Sequence, residues 1–257
     1  MNNFLLLIKK EIWENWVNNK IVIVFSILAI IAVVMPFTSY QSYLSQFTIS
    51  SMPARELLVS FYTFLQILLI VFIPFMVMGT VASEIKNNNA ASVLVKPTGR
   101  AGYIISKYLV YTLIFGLATI IAILLSAVYA NSLALDPNAF RDNRLWAMIG
   151  LSLVFISFVV SLMVLLSTIT KSQVVAGVLG YCILIAGTAF AIVPAVLRFM
   201  PISLFMWMSE ILNRPYYSPE DAVLVTRFDA WPAFFIALLA PIAFIFTSIF
   251  IIKRKEL

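Results

Sequence analysis

Hydrophobic residues fall in six long runs separated by short polar stretches, at 21–37, 57–81, 109–130, 145–169, 174–197 and 232–252. A bilayer core of about 30 Å takes roughly 20 apolar residues in helical form, so each run predicts a membrane-spanning helix. The first run is the shortest, and Pro36 near its end predicts a stop or a bend there. Pro74 and Pro241 lie inside the second and sixth runs, where a spanning helix tolerates the break if neighbours satisfy the freed carbonyl. Ahead of the first run, Leu5, Ile8, Ile12 and Trp16 recur at helical spacing, with Lys9, Glu11, Glu14, Asn15, Asn18 and Asn19 on other faces. The pattern predicts an amphipathic helix over 1–20 lying in the membrane interface, with Ile12, Trp13 and Trp16 as its interfacial residues. The alternative is a plain extension of the first span into water.

The polar stretches are unequal. GTVASEIKNNNAASVLVKPTGRAGYIISK, residues 79–107, is longer than a simple helix connection needs. Its centre, 84–95, lacks Pro and Gly and predicts a short helix across the membrane mouth, a docking surface for a partner. Residues 38–56, rich in Ser, Gln and Tyr, read as an irregular loop. MPISLFMWMSEIL, residues 200–212, is too apolar for a free loop and too short to span, which predicts an external helix packed on the bundle. Turn signals around Pro215 and Pro219 lead on to Pro232. The reading is an all-α membrane protein: an interfacial helix at 1–20 and a six-helix transmembrane domain at 21–257. That domain carries a cytosolic loop at 82–107 and a large external loop at 198–231.

Composition agrees. The chain is 63% hydrophobic and 11% charged, against roughly 45–50% and 25% in soluble domains, and its mean hydropathy is +1.04. Lipid must therefore be the solvent for much of the surface. The net charge of +6 is a topology signal rather than a nucleic-acid patch, because the basic residues flank the spans. With the N-terminus inside, the cytosolic segments hold eleven Lys and Arg and the external ones six, which predicts both termini in the cytosol. No cleavable signal peptide is evident, since twenty mixed residues precede the first apolar run.

Candidate chemistry is thin. There is no histidine and one cysteine, Cys182, which reads as a buried thiol in an apolar segment; zinc, haem, disulfide and thiol-redox sites have no ligand set. The polar groups in mid-span are of the Gln66, Ser126, Ser157, Ser161 and Thr188 kind, which disfavours ion-coupled transport. No GxxxxGK[ST] phosphate loop, nucleophile elbow or internal repeat occurs. Ala118, Ala122, Ser126 and Ala130 recur every four residues, and Ser157 and Ser161 repeat the spacing. Such small-residue stripes let helices approach closely, as ordinary bundle packing or as a dimer or substrate-path face.

The loop at 79–107 resembles the first cytosolic loop of ABC-2-type transporter permeases, matching at Gly79, Ala82, Glu84, Leu94, Pro97, Arg100 and Lys107. It departs at Asn89–Ala90, where the family usually has Gly-Thr. IKKEIWENWVNNK at the start, the turn from Ser167 through Lys171 and Gln173 to Gly177, and the ending IIKRKEL are also similar to family features. The resemblance implies a half-transporter in a bacterial cytoplasmic membrane. Two permeases, identical or different, pair around a substrate path, and separate ATPase subunits bind ATP and Mg beneath them. It places ATPase coupling at Glu84, Lys86, Asn88, Ser92, Val93, Leu94, Lys96, Pro97 and Arg100, with Val93 and Leu94 filling a groove on the partner. Each of those charges also reads as a headgroup or solvent contact.

The function expected is export of a lipophilic or amphipathic substrate such as a lipid, drug or peptide, with no catalytic residue and no cofactor on this chain. The alternatives are a gradient-driven carrier or channel, or a non-transporting membrane scaffold.

Overall fold

Helices account for the secondary structure throughout the residues that a computed structural model describes: 3–46, 54–86, 99–134, 143–170, 172–189, 194–205, 207 and 230–254, with no strand among them. α1 (Asn3–Val17) ends because Asn19 takes a φ of 56°, the left-handed conformation that Asn tolerates at a helix end. The Asn18 and Asn19 amides close the turn on the carbonyls of Glu14 and Trp16. α2 (Lys20–Gln46) starts one residue later. Then follow α3 (Ala54–Val77), α4 (Ala82–Lys86), α5 (Gly99–Leu133), α6 (Asn143–Ile169), α7 (Gln173–Ala189), α8 (Pro194–Leu197) and α9 (Trp231–Arg254).

Five of these helices, α2, α3, α5, α6 and α9, are long and apolar enough to cross a membrane, the pattern of a multi-pass membrane protein. α7 has 17 residues, about 25 Å at 1.5 Å per residue. As described it falls short of the sixth span expected at 174–197, and 190–193 lie outside the described residues.

Other expectations are corrected. α2 does not stop at Pro36 but runs on to Gln46, and α3 begins at Ala54, so most of the loop expected at 38–56 is helical. Hydroxyls at Thr38 and Ser42 bond back to the carbonyls of Met35 and Thr38, so these polar side chains satisfy themselves along the helix. α5 starts at Gly99, ten residues before the expected span, so the end of the cytosolic loop is the first two turns of a 35-residue helix. Cys182 is exposed, because α7 buries only the face carrying Ala176, Gly177, Gly180 and Leu184.

α3, α5 and α6 form the centre. α9 packs chiefly on α6, α2 on α5 and α3, and α7 on α3 and α6. Outward faces are apolar, among them Leu113, Leu117, Ile121 and Leu125 on α5 and Phe235, Leu239, Ile242 and Phe246 on α9. In lipid such faces gain nothing by meeting each other, so helix association depends on close contact. The small-residue stripe supplies it: Ala118, Ala122, Ser126 and Ala130 are all buried within this one chain, as is Ser161. Ser157 is half-buried and shares a 2.6 Å hydrogen bond with the Tyr108 hydroxyl. These residues pack the bundle and do not form an outer face.

The ends of the bundle differ. At one end Ile202, Leu204, Phe205 and Trp207 fold inward, in agreement with packing of the 200–212 segment, whose residues 206 and 208–212 lie outside the description. Phe205 meets the rings of Tyr62 and Phe155, and Trp207 meets Trp231. The opposite end gathers the charges.

Candidate functional site at the polar mouth

α5 presents Tyr103, Lys107 and Tyr111 four residues apart on one buried face, although Lys107 is charged. The Lys107 ammonium is accommodated because two carboxylates close on it, Glu84 of α4 at 2.7 Å and Glu11 of α1 at 2.8 Å. Tyr103 donates its hydroxyl to the other oxygen of Glu84 at 2.6 Å, and its ring lies 4.9 Å from the Lys107 ammonium. One ammonium thus ties three elements together: the N-terminal helix, the short helix after α3 and the start of α5.

α1 turns a largely polar stripe toward the bundle. Its buried stripe is Leu7, Glu11 and Asn15, one turn apart, and the Asn15 amide donates to the Glu11 carbonyl at 2.8 Å. Its apolar residues Leu5, Ile12, Trp13 and Trp16 point outward. Burial pushes the Glu11 carboxyl above the ordinary carboxylate range, against the opposing pull of Lys107. Burial works against the Lys10 ammonium, but Glu84 and Glu14 hold it above its ordinary value. Oxygens of Glu11, Glu14 and Glu84 lie within 4.8 Å of one another. A metal ion would compete there with Lys107 and with Lys10, which pairs with Glu14 at 3.3 Å.

The break between α3 and α4 is held from α6. The Ser167 hydroxyl accepts the Val81 and Ala82 amides at 3.1 and 3.0 Å and donates to the Met78 carbonyl at 2.9 Å. Beside it, α7 approaches closely because Gly177 has no side chain: a Cβ there would sit 2.6 Å from Met78 Sδ and 3.1 Å from Met78 Cβ. Arg100 donates to the carbonyls of Ile252 and Lys253 at 3.2 and 2.6 Å, where the last turn of α9 leaves acceptors free. Both α1 and the end of α9 therefore meet α5 at this mouth.

Of the coupling residues expected from sequence, Glu84 faces inward to Lys107 and Tyr103, and Arg100 caps α9. Lys86 ends α4. Asn88, Ser92, Val93, Leu94, Lys96 and Pro97 lie outside the described residues, as does most of the helix expected at 84–95. Sequence reasoning did not single out Glu11, Tyr103, Lys20 or Thr80. The i, i+4 spacing of Glu11 and Asn15 was visible as a shared helix face, though not as a buried one. No protein-family model matches the chain, and no curated protein matches it.

Proposed function

We propose that the chain is a six-span membrane subunit of an ATP-driven transporter, with the polar mouth facing the cytoplasm. More particularly, we propose a permease of the ABC-2 type, in a bacterial cytoplasmic membrane, that pairs with a second permease and exports a lipophilic or amphipathic substrate. ATP and Mg bind a separate ATPase subunit docked at the mouth.

One observation carries this reading. α4 and α5, which flank the 87–98 segment, are both locked to α1 through Lys107, so a push on that segment reaches three elements at once. Such an arrangement suits a domain driven from outside, as a two-state element biased by a partner. Among the described residues, carboxylates, ammonium and guanidinium groups lie at the two ends of the bundle and none in its middle, so an internal proton or ion relay lacks its usual groups.

Connectivity supports six crossings. α7 leaves the mouth, where Gln173 lies against Gly79, and Phe205 and Trp207 reach the far end. Segment 173–197 would complete an even number of passes, with both termini cytosolic as the basic residues predict. The five tryptophans lie toward the ends, Trp13 and Trp16 at the mouth and Trp146, Trp207 and Trp231 opposite, as at two membrane interfaces. α1 would lie in the cytosolic interface with Ile12, Trp13 and Trp16 in lipid.

The test is affinity purification of the tagged chain in mild detergent, with mass spectrometry and an ATPase assay on what accompanies it. A stoichiometric P-loop subunit with ATPase activity is expected. A chain that purifies alone and conducts in liposomes would instead be a carrier or channel. A stable complex without ATP-dependent flux would make it a scaffold.

A further inference from the structure

Inside the mouth, α1, the start of α2, the turn between α3 and α4, α4 itself and α5 line an open cavity of about 430 Å³, within the size range of small-molecule sites. Its lining includes three lysines and three glutamates, Lys10, Lys20 and Lys107 with Glu11, Glu14 and Glu84, so the fixed charges cancel. A ligand with net charge would disturb that balance, whereas one carrying both signs would not.

The charges are not equally committed. Lys107 is saturated by Glu11 and Glu84. Lys20 has no carboxylate within 4.0 Å among the described residues and rests on long contacts, 3.3 Å to the Tyr111 hydroxyl and 3.5 Å to the Met76 carbonyl. Glu14, also lining the cavity, pairs among the described residues with half-exposed Lys10 alone, an i, i+4 pair of the weak surface kind. A second signal is independent of charge. Thr80 lines the same cavity, is 5% exposed, and its hydroxyl has no hydrogen-bond partner. A buried hydroxyl left unmade costs about 1–3 kcal/mol; six other hydroxyls among the described residues share that state, and Thr80 is the one that borders this cavity.

We infer that this cavity binds the headgroup of a zwitterionic phospholipid with a primary ammonium, a phosphoethanolamine. Lys20 and Thr80 receive the phosphate, and Glu14 receives the ammonium. The exposed apolar face of α1, with Leu5, Ile12, Trp13 and Trp16, sets the cavity at the level where such headgroups lie. A quaternary choline cannot donate the hydrogen bonds that Glu14 accepts, and an anionic glycerol headgroup adds an uncompensated negative charge. The site rests on the membrane placement of α1 proposed above, and not on the docking of an ATPase.

The test is native mass spectrometry of the full chain in detergent, offered equal amounts of phosphatidylethanolamine, phosphatidylcholine and phosphatidylglycerol. Phosphatidylethanolamine should be retained at least about tenfold over the other two, which is about 1.4 kcal/mol. Lys20→Met and Glu14→Gln should each abolish that preference, Thr80→Val should reduce it severalfold, and Lys20→Arg should keep it. Should Lys20→Met fail to fold, the wild-type ranking and Lys20→Arg still decide. Equal retention of the three lipids, a preference for phosphatidylglycerol, or an unaltered preference in Lys20→Met would overturn the inference. Soluble glycerophosphoethanolamine competing mole for mole with the lipid would overturn the lipid assignment in favour of a soluble zwitterion.

Discussion

Replacing Lys107 by methionine keeps the length of the side chain and removes the one charge that holds α1, α4 and α5 together. At an effective dielectric of about 20, unit charges at the 2.7 and 2.8 Å seen here attract by roughly 6 kcal/mol per contact. Desolvation of three charges returns most of that, at several kcal/mol per ion. Losing one partner is different, because Glu11, only 4% exposed, is then a buried charge without compensation. Breaking a buried pair in this way costs on the order of 3–5 kcal/mol, with protonation of Glu11 setting the ceiling. The assay is hydrogen exchange of the α1 amides, in the full chain in nanodiscs, since local opening reports docking of that helix. At 1.36 kcal/mol per tenfold, exchange across α1 should quicken by about 150-fold to a few thousand-fold. The defect should shrink as pH falls, because a protonated Glu11 needs no ammonium. Adding Glu11→Gln and Glu84→Gln to Lys107→Met should recover most of the loss. Acceleration of less than about threefold in the single variant would refute a buried, uncompensated charge. No recovery in the triple variant would mean that Lys107 acts through shape.

Glu11 itself gives a pH dependence of definite sign. Its folded value is raised, so the docked state binds more protons between the ordinary value near 4.5 and the raised one. Stability from this group is therefore present at low pH and lost as pH rises through the folded value. α1 protection, corrected for intrinsic exchange, should grow on acidification in wild type and lose that dependence in Glu11→Gln; the reverse slope would mean that attraction to Lys107 outweighs burial. Ser167→Ala should leave two amides without their acceptor, at about 1–3 kcal/mol for each buried group. Exchange should then rise selectively at 78–86, and Ser167→Thr should restore it if the added methyl fits. Gly177→Val should push against the Cβ of Met78, not only its flexible sulfur, and cost about 1–3 kcal/mol. A lowered thermal midpoint in detergent would register it, and an unchanged one would mean that α7 can move away.

Much of the fold was legible because lipid imposes a simple rule on length and hydrophobicity. The run expected at 145–169 coincides with the apolar stretch of α6, and that at 232–252 lies within α9. The rule fails where helices leave the apolar layer. The polar ends of α2 and α5 carry too few apolar residues to register as span, although no proline interrupts them. α7, with three glycines in an apolar run, reads as a span by composition and is described as helix for only 17 residues. The site was less legible. Glu84 and Lys107 were visible as charges in a loop, but their partner Glu11 lies 96 positions from Lys107. No local pattern shows that a carboxylate on an amphipathic helix will turn toward protein instead of water. The small-residue stripe on α5 was legible as packing because close approach requires that spacing.

The Ser167 hydroxyl is a fulcrum. Between Met78 and Ala82 the main chain changes helix, and the bonds that such a change leaves open are completed by one oxygen on α6. The junction between α3 and α4 is therefore anchored on a different helix, in addition to the tie of Glu84 to Lys107. A displacement of α4 would load the final turn of α6 through that hydroxyl. The end of α6 is in this sense a bearing for the short helix, and the Ser167 hydroxyl joins the two.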